Sequence, residues 1–577
     1  MYGFYGKILL IDPGKRSFKE QPIADQLYAE LLGGKGLATH LLLQYLETGI
    51  DPLSGDNIII FATGPATNTR VFGSSRYGVF TKSPLTGIYC ESYAGGSVAE
   101  PLNSTGYDAI VITGAATTPI YLEISHKHVT FHDASHLWGM DTYQAEDTIR
   151  NEIKAKNAGV VVIGPAGENL VRFAVIENDY WRSASRTGAG TVLGSKKIKG
   201  IAFHGNEARD VANTKILNRL WRQIADRGKT DSGAIAYKKY GTPMLVAPVN
   251  KIGAFPTRYW SSGIFDKWQE ISADALLSKC SVRPKSCPKC FLACGNLIQV
   301  IDGRHKGLCI EGPEYETIYA FGGLCLIDDI REIAYLNDIC DRLGMDTITA
   351  GNLAAFTIEA SRRRIIDDKF DYGDVDAIAE LLLKISSREG IESILSEGIQ
   401  YASKQWSMED MAIHVKGLEP AGYDPRVLKG MGLAYATADR GACHLRATIY
   451  KAELSGMIEP DQIEGKAEML IDFEDRHTLF DSLILCRFFR DLYPWDIISE
   501  IVEGTTGIRA NQNQLRTIAT NITNKVREFN LREGMLKSSD TLPARFFNEK
   551  LEDSGKVLLK PDFDRMISDY YRLRGWS

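Results

Sequence analysis

The run Asn57-Ile-Ile-Ile-Phe61, followed by Thr63-Gly-Pro-Ala-Thr-Asn-Thr69, shows the pattern that decides the fold of the first third of the chain. A short apolar run rich in β-forming residues that ends in glycine and proline is typical of a strand followed by a turn. Similar apolar runs occupy residues 7–11, 109–113, 120–124, 159–163 and 201–203. Residues 1–207 are therefore predicted to form a sheet-rich domain with helical insertions.

Beyond residue 207 the apolar residues recur with the spacing of helices. This spacing predicts helices within residues 214–225, 329–342, 347–362, 375–387 and 517–528. A second boundary near residue 416 divides this region into residues 208–415 and 416–577. The sequence thus predicts an α+β chain in which two mainly α-helical domains follow a β-rich domain.

The composition of the 577-residue chain is that of a folded protein, with 44% apolar and 24% charged residues. Its net charge of −6 argues against a broadly basic nucleic-acid-binding protein. No run of 18 apolar residues predicts a membrane span, and the N-terminus lacks the cationic start and apolar core of a secretory signal. We expect no nucleic-acid partner and no membrane partner.

The segment Cys287-Pro-Lys-Cys290-Phe-Leu-Ala-Cys294 places three thiols within eight residues. Thiolates are soft ligands that suit iron–sulfur clusters, zinc and copper(I). The spacing favours an iron–sulfur cluster, because zinc sites more often pair two Cys-x-x-Cys knuckles and no second knuckle is present. Zinc and inert cysteines stay open as alternatives. Either metal site needs a fourth ligand from elsewhere in the chain.

Two acidic segments share a frame, Asp341-Arg-Leu-Gly-Met-Asp346 and Asp481-Ser-Leu-Ile-Leu-Cys486. Their simplest interpretation is two helix ends that each carry an aspartate. If Cys486 is the fourth cluster ligand, Asp481 lies beside the cluster. A carboxylate accepts paired N–H donors, so the two aspartates suit heterocycles with guanidine-like edges, as pterins have.

Together with these segments, an ordered set of motifs resembles the tungsten-containing aldehyde:ferredoxin oxidoreductase family over essentially the whole chain. The set comprises Gly33-Gly-Lys-Gly36, Gly73-Ser-Ser-Arg76, Lys82-Ser-Pro-Leu-Thr-Gly87, Asn178-Asp-x-x-Arg182, Glu311-Gly-Pro-Glu-Tyr-Glu-Thr317, Tyr423-Asp-Pro-Arg426 and Gly441-Ala-Cys-His-Leu-Arg446. The resemblance implies a two-sheet N-terminal base that cradles a tungsten bis-pyranopterin, with molybdenum as the less favoured metal, and helical domains that close over it.

The resemblance also implies the ligands of the cofactors. A [4Fe–4S] cluster would be held by Cys287, Cys290, Cys294 and Cys486, and Mg²⁺ would link the pterin phosphates near the backbone of Tyr93 and Ser183. The residues expected to bind the cofactors are Arg76, Tyr93, Gly95, Gly96, Arg182, Ser183, Arg186, Asp341, Gly344, Asp346, Asp481, Leu485 and Cys486. The chain departs from the family pattern at Ile484, where glycine is usual, and at Tyr93, where asparagine is frequent.

Four side chains are expected to carry the chemistry. Glu314 is the first choice as base and Glu311 the reserve, His444 exchanges a proton, and Tyr423 donates a hydrogen bond to the substrate carbonyl. The implied reaction oxidises an aldehyde to a carboxylic acid and passes electrons through the cluster to ferredoxin or an iron–sulfur subunit. The alternatives are a benzoyl-CoA-reductase-type subunit that reduces an aromatic acyl-CoA and a non-catalytic electron-transfer subunit. An oxygen-labile cluster suits the cytoplasm, and the family is commonly dimeric.

Three weaker patterns remain. Gly188-x-Gly190-x-x-x-Gly194 is a loosened dinucleotide fingerprint, but the segment before it is not an apolar strand. Glu474-x-x-His477 and the pair Glu123 and His126 have the spacing of metal ligands. Two such pairs are expected by chance in a chain of this length.

Overall fold

The structure is a computed structural model that describes residues 1–576, and its α+β architecture confirms the predicted fold class. Twelve strands of the N-terminal region are numbered in chain order. They are β1 Lys7–Asp12, β2 Ser17–Pro22, β3 Ile59–Ala62, β4 Tyr77–Lys82, β5 Tyr89–Ala94, β6 Ala109–Ile112, β7 Ile120–Ser125, β8 His128–Asp133, β9 Gly159–Val162, β10 Ile176–Asn178, β11 Arg182–Ala184 and β12 Ile198–Phe203. They form two six-stranded sheets, in the orders β2-β1-β6-β3-β4-β5 and β11-β10-β9-β12-β7-β8.

The two sheets face each other across a shared core. Leu9 and Phe61 from the first sheet pack with Leu122 and Phe203 from the second. The opposite face of the first sheet is buried under helices, where Ile8 and Ile60 meet apolar side chains of the helices Gly34–Tyr45 and Gln512–Arg532. Burial on both faces explains why the sequences of β1 and β3 are continuous apolar runs rather than alternating patterns.

Helices dominate the rest of the chain, as predicted. In the N-terminal region the helices are Asp25–Leu31, Gly34–Tyr45, Ala99–Ser104, Thr142–Glu152, Pro165–Glu168 and Ala189–Ser195. Beyond it they are Thr214–Thr230, Ser232–Tyr240, Val246–Lys251, Ala273–Lys279, Tyr315–Thr317, Ile330–Leu343, Thr347–Arg362, Val375–Ser387, Glu392–Leu395, Ile399–Gln405, Lys429–Thr437, Tyr450–Leu454, Lys466–Leu483, Trp495–Thr506, Gln512–Arg532, Ala544–Asn548 and Lys560–Arg574. All five predicted helical segments coincide with helices of the structure. The segments 347–362 and 375–387 match at both ends, and the ends of the other three differ by no more than five residues. Within residues 1–576, none of these helices is both long enough and apolar enough to span a membrane.

A three-stranded sheet interrupts the helical region and was not predicted. Its strands are β13 Cys280–Lys285, β14 Gly295–Val300 and β15 Cys309–Glu311. The cysteine-bearing loop joins β13 to β14, and Glu311 ends β15. This small sheet therefore holds the cysteine loop and the first glutamate motif side by side.

Hydrophobic cores cross the predicted domain boundaries. Leu32 and Phe72 of the first region pack in one core with Leu217 and Leu483 from the two later regions. The divisions near residues 207 and 416 stay predictions.

Candidate active site

The four cysteines expected to hold the cluster lie in one group. The backbone N–H of Gly96 donates to Sγ of Cys287 at 3.3 Å, and Nη1 of Arg76 lies 4.0 Å from Sγ of Cys486. Burial, together with the neighbouring thiols of Cys486 and Cys287, raises the pKa of Cys290 to about 12. Burial and the same neighbours raise the pKa of Cys294 well above its ordinary value.

This grouping tests whether the thiols fit a cluster. Partly buried thiols that repel one another as thiolates need a bound cation to lose their protons near neutral pH. Within residues 1–576, no three His, Cys, Asp or Glu side chains converge on a point that one metal ion would occupy. In a cubane each thiolate binds its own iron, so its ligands stand around a larger group. The four thiols fit such a group.

The end of β5 lies against the cysteine group. A Cβ atom added to Gly95 would stand 2.9 Å from Sγ of Cys287, so glycine permits this close approach. Arg76 lies between β5 and Cys486, because its Nη2 donates to the carbonyl of Tyr93 at 3.0 Å and its Nη1 lies 4.0 Å from Sγ of Cys486. The side chain of Tyr93 turns away and donates to Oε2 of Glu91 at 2.7 Å. Only the backbone of Tyr93 therefore remains for the predicted role near Mg²⁺.

A partly open cavity of about 190 Å³ collects most of the other predicted residues. Its wall includes Ser183, Arg186, Glu311, Glu314, Asp341, Asp346 and His444. It also includes Glu316, Arg440 and Cys443, to which the sequence analysis gave no role. The cavity thus brings three glutamates of one motif next to the histidine of another.

The three glutamates of the 311–317 motif have different surroundings. Glu311 accepts a hydrogen bond from Arg182 and lies 3.4 Å from Nζ of Lys285, so its charge is balanced. Glu314 accepts a hydrogen bond from the hydroxyl of Thr242, and burial raises its pKa. Glu316 accepts from the N–H of Gly422 at 2.9 Å, and burial raises its pKa to about 8.

His444 is the nearest titratable partner of Glu316. Its Nε2 lies 3.5 Å from Oε1 of Glu316, and that oxygen has no other polar partner among the described residues. Burial lowers the pKa of His444 well below its ordinary value, and the nearby Arg186 and Arg440 add to this effect. The imidazole is therefore neutral at pH 7.

Tyr423 does not line the cavity. Its ring stacks on Tyr450 with centroids 4.2 Å apart and lies 6.0 Å from the ring of His444. Burial and the neighbouring hydroxyl of Tyr450 raise the pKa of Tyr423 well above 10. The structure places Tyr423 behind His444, and its predicted contact with substrate stays a prediction.

The first aspartate motif ends one helix and begins another at the cavity wall. Gly344 takes a left-handed φ of +74° after the helix Ile330–Leu343, and Asp346 caps the helix Thr347–Arg362 by accepting from the N–H of Ile348 at 3.1 Å. Asp341 accepts from Nδ2 of Asn337 at 2.6 Å, and burial raises its pKa well above its ordinary value. Nε of Arg186 lies 3.3 Å from Asp346.

The second aspartate motif lies in a buried ion network. Asp481 accepts from Nη1 of Arg446 at 2.9 Å and from Nη2 of Arg487 at 2.5 Å. Arg446 also donates to Glu91, which pairs with Nζ of Lys35 at 2.9 Å. These partners come from four separate segments, so the network ties the second motif to the first sheet.

Ile484 keeps the backbone conformation that glycine favours. Its φ is +55°, in the left-handed region, and its side chain is buried. A Cβ on Gly34 would lie 2.8 Å from Cδ1 of Ile484, so the Gly33-Gly-Lys-Gly36 turn leaves room for this side chain. The following Leu485 packs in the core with Phe489.

Unpaired guanidinium groups give a second test of fit. Buried N–H groups of Arg440, Arg446, Arg487 and Arg490 have no hydrogen-bond partner among residues 1–576. Burying such donors without acceptors is costly. Anionic phosphates or sulfurs would satisfy them, as the phosphates and dithiolenes of a pyranopterin do. The donor set therefore fits the cofactor that the sequence implies.

Comparisons with known proteins identify the family. The family description "Aldehyde ferredoxin oxidoreductase, N-terminal domain" matches residues 8–205, and "Aldehyde ferredoxin oxidoreductase, domains 2 & 3" matches residues 218–577. The chain belongs to this family of oxidoreductases, which confirms the resemblance. Membership implies a tungstopterin and, in most members, an iron–sulfur cluster.

Individual relatives define the match further. The chain is 35% identical to the tungsten-containing aldehyde ferredoxin oxidoreductase of Pyrococcus furiosus, over 100% of this chain and 97% of the relative. It is 27% identical to the aliphatic sulfonate oxidoreductase, WOR-like subunit, of the same organism, over 100% of this chain and 95% of the relative. The active-site complex BamBC of benzoyl coenzyme A reductase, in complex with 1,5-dienoyl-CoA, shares the fold with a TM-score of 0.86 at 23% identity, covering 100% of this chain and 95% of that one.

Sequence reasoning missed several residues that the structure brings to the site. Glu316, Cys443 and Arg446 lie inside motifs that were recognised, yet other members of those motifs received the roles. Arg487 follows Cys486 directly. The polar residue types of these positions could have suggested a role in the site. Only the fold shows which of several neighbouring polar side chains point into it.

Proposed function

We propose that this protein oxidises an aldehyde to a carboxylic acid at a tungsten bis-pyranopterin and passes the electrons through a [4Fe–4S] cluster to ferredoxin or an iron–sulfur subunit. The hydrated aldehyde yields a carboxylate, two electrons and three protons. The observation that carries the proposal is one cavity that joins acid–base carboxylates, a neutral histidine and unpaired arginines beside four cysteines.

Arg182 connects the cavity to the cysteine group. It donates to Glu311 in the cavity wall. Burial alone would lower the pKa of Arg182, but Cys287 and Glu311 raise it above its ordinary value. One guanidinium therefore faces both the carboxylates and the thiols, so the two parts of the site are in electrostatic contact.

The side chains have separate roles in this proposal. When bound, the tungsten cofactor supplies the two-electron exchange with the substrate carbon. Asp341 and Asp481 would accept hydrogen bonds from the two pterins, and the unpaired N–H groups of Arg440 and Arg446 would hold anionic oxygen or sulfur atoms. Mg²⁺ would bind phosphates near the backbone carbonyl of Tyr93.

Glu316 takes the substrate proton beside a neutral His444. A carboxyl group with a pKa of about 8 changes charge near neutral pH, as a general base requires. Its Oε1 has no hydrogen-bond partner in the described part of the chain and is free to take the proton, and Nε2 of the neutral His444 lies 3.5 Å from it. This geometry favours Glu316 over the first choice, Glu314, whose carboxylate already accepts the hydroxyl of Thr242.

Reduction of an aromatic acyl-CoA is the second candidate, and Cys443 is the observation that favours it. A ring-reducing site needs a cysteine or similar group near the metal, and Cys443 lines the cavity. Burial raises the pKa of this thiol, but Arg440 and Arg446 more than offset that effect and lower it overall. The fold shared with benzoyl coenzyme A reductase is compatible with either reaction.

Metal, pterin and substrate analysis test the proposal together. Anaerobically purified protein should contain about one tungsten and about four iron atoms per chain. Aldehydes should reduce a viologen dye, whereas benzoyl-CoA with a strong reductant should give no product. Zinc without tungsten would contradict the cofactor assignment, and a cluster spectrum without pterin would indicate the non-catalytic subunit. A homodimer and a cytoplasmic location stay predictions.

A further inference from the structure

We propose that Arg70, Lys215, Trp221, Arg222 and Lys289 form the docking site of a small acidic iron–sulfur protein that accepts electrons from the cluster. We call these five residues the basic surface. The inference rests on the proposed function, because it assigns a face of the protein to the same electron path. It goes further by naming where the partner binds and what chemistry it carries.

The charge of the helix Thr214–Thr230 is the first observation. It carries five basic residues and one acidic residue, although the chain as a whole has a net charge of −6. Lys215 and Arg222 are exposed and lie seven residues apart, so they share one face of the helix. A positive patch on a negative protein selects an acidic partner and repels most other surfaces.

Three of the four charges of the basic surface are available to a partner. Arg219 pairs with Glu500 at 2.6 Å and Lys289 with Glu100 at 2.7 Å. The ion pairs found within residues 1–576 do not include Arg70, Lys215 or Arg222. Unpaired cations at the rim of an interface speed association through long-range attraction.

A groove of about 650 Å³ connects this helix to the cluster loop. Arg70, Trp221 and Lys289 line the groove. Lys289 lies between Cys287 and Cys290, so the groove wall includes the loop that would hold the cluster. Cys287 and Cys290 are only partly buried, which keeps this side of the cysteine group near the surface.

Aromatic packing links the exposed part of the groove to the cysteines. Trp221 is 40% exposed, and its ring stacks on Phe72 with centroids 6.1 Å apart. Phe72 meets the ring of Phe291 at 4.7 Å, and Phe291 follows Cys290 in sequence. An exposed tryptophan flanked by arginines is the typical anchor of a protein interface. A partner seated on Trp221 would lie over the cluster loop.

The test uses direct binding and turnover with a two-cluster ferredoxin of net negative charge. Lys215→Glu/Arg222→Glu and Trp221→Ala are compared with Arg364→Glu/Lys369→Glu, a matched charge reversal of exposed residues in the loop after the helix Thr347–Arg362. Binding of the oxidised holoprotein is measured without substrate. Aldehyde-dependent reduction is then measured with the ferredoxin and, separately, with benzyl viologen.

The two variants in the basic surface should raise Kd and the KM for ferredoxin by about tenfold at low salt. High salt should remove the difference for the charge reversal but not for Trp221→Ala, which removes packing rather than charge. Viologen-dependent activity should stay at the wild-type level. Unchanged ferredoxin binding in both variants would overturn the docking proposal. If the wild-type protein oxidises no aldehyde with viologen, the proposed function fails, and the binding measurement still decides the docking proposal.

Discussion

Nε2 of His444 lies 3.5 Å from Oε1 of Glu316 at the wall of the cavity. Burial raises the pKa of Glu316 to about 8 and lowers that of His444 well below 6.5. At pH 7 the carboxyl group therefore holds the proton and the imidazole holds no charge. In an exposed pair the imidazole has the higher pKa, so burial reverses the order of the two pKa values. Glu316 is therefore the group that changes charge near neutral pH.

Glu316→Gln should lower kcat by about 10²-fold or more, because the glutamine cannot accept the substrate proton. In the wild-type protein the base must be ionised, so kcat/KM should fall as the pH decreases below about 8 and level off above it. The variant should lose this acidic limb. Steady-state rates with a viologen acceptor across the pH range measure both effects.

Glu314→Gln is the matched control from the same motif. It removes a carboxylate that accepts the hydroxyl of Thr242, so it should leave the acidic limb in place. If Glu314→Gln loses the limb and Glu316→Gln keeps it, Glu314 is the base and the interpretation of the His444 pair is wrong.

Cys486→Ala should abolish the four-iron cluster or convert it to a three-iron form. The N–H of Cys486 donates to the carbonyl of Gly73 at 2.9 Å, so the alanine should keep its backbone position while the ligand is lost. Iron analysis and electron paramagnetic resonance of the anaerobic protein measure the change. Cys309→Ala removes an exposed thiol and should retain about four iron atoms. An intact four-iron signal in Cys486→Ala would show that another residue is the fourth ligand.

The fold was predictable where burial needed only apolar residues. The strands β1, β3 and β6 are continuous apolar runs, and the sequence located them. It missed β5, Tyr89–Ala94, which contains the fully buried Glu91. Glu91 is tolerated there because Arg446, 355 positions away, donates to it. A pairing over that distance has no local signature, so periodicity could not identify the strand.

The site was predictable as a set of motifs but not as a set of roles. Three glutamates fall within six residues of the 311–317 motif, and sequence spacing could not rank them. The ranking depends on Arg182, Thr242 and His444, each of which contacts a different glutamate. Tyr423 shows the same limit, since its residue type and motif suggested a contact with substrate, whereas its ring lies 6.0 Å from that of His444 and does not line the cavity.

Gly95→Ala should weaken the cluster. The added methyl group would lie 2.9 Å from Sγ of Cys287, and a sulfur bound to iron cannot move aside freely. We expect a lower iron content in the anaerobically purified protein. We also expect faster loss of the cluster once the protein is exposed to air, measured as the decay of its visible absorbance. Gly233→Ala is the control, because its methyl group would meet only Oδ1 of Asp231 at 3.2 Å. Equal cluster stability in the two variants would contradict the close approach of β5.

Arg446→Met should lower the free energy of unfolding by about 3–5 kcal/mol, because it leaves Glu91 and Asp481 buried with too few cations. The guanidinium is only 5% exposed and donates to both carboxylates, and methionine fills similar space without charge. Arg565→Met is the control, since it removes an exposed pair with Glu464 and should cost about 1 kcal/mol or less. Denaturant unfolding of the purified proteins measures both.

The unpaired Nε of Arg446 leads to a second expected effect of the same substitution, on the pterin content. If that N–H holds an anionic group of the cofactor, Arg446→Met should also retain less pterin, whereas Arg565→Met should retain it fully. A variant that is destabilised yet keeps its full pterin content would limit Arg446 to the ion network.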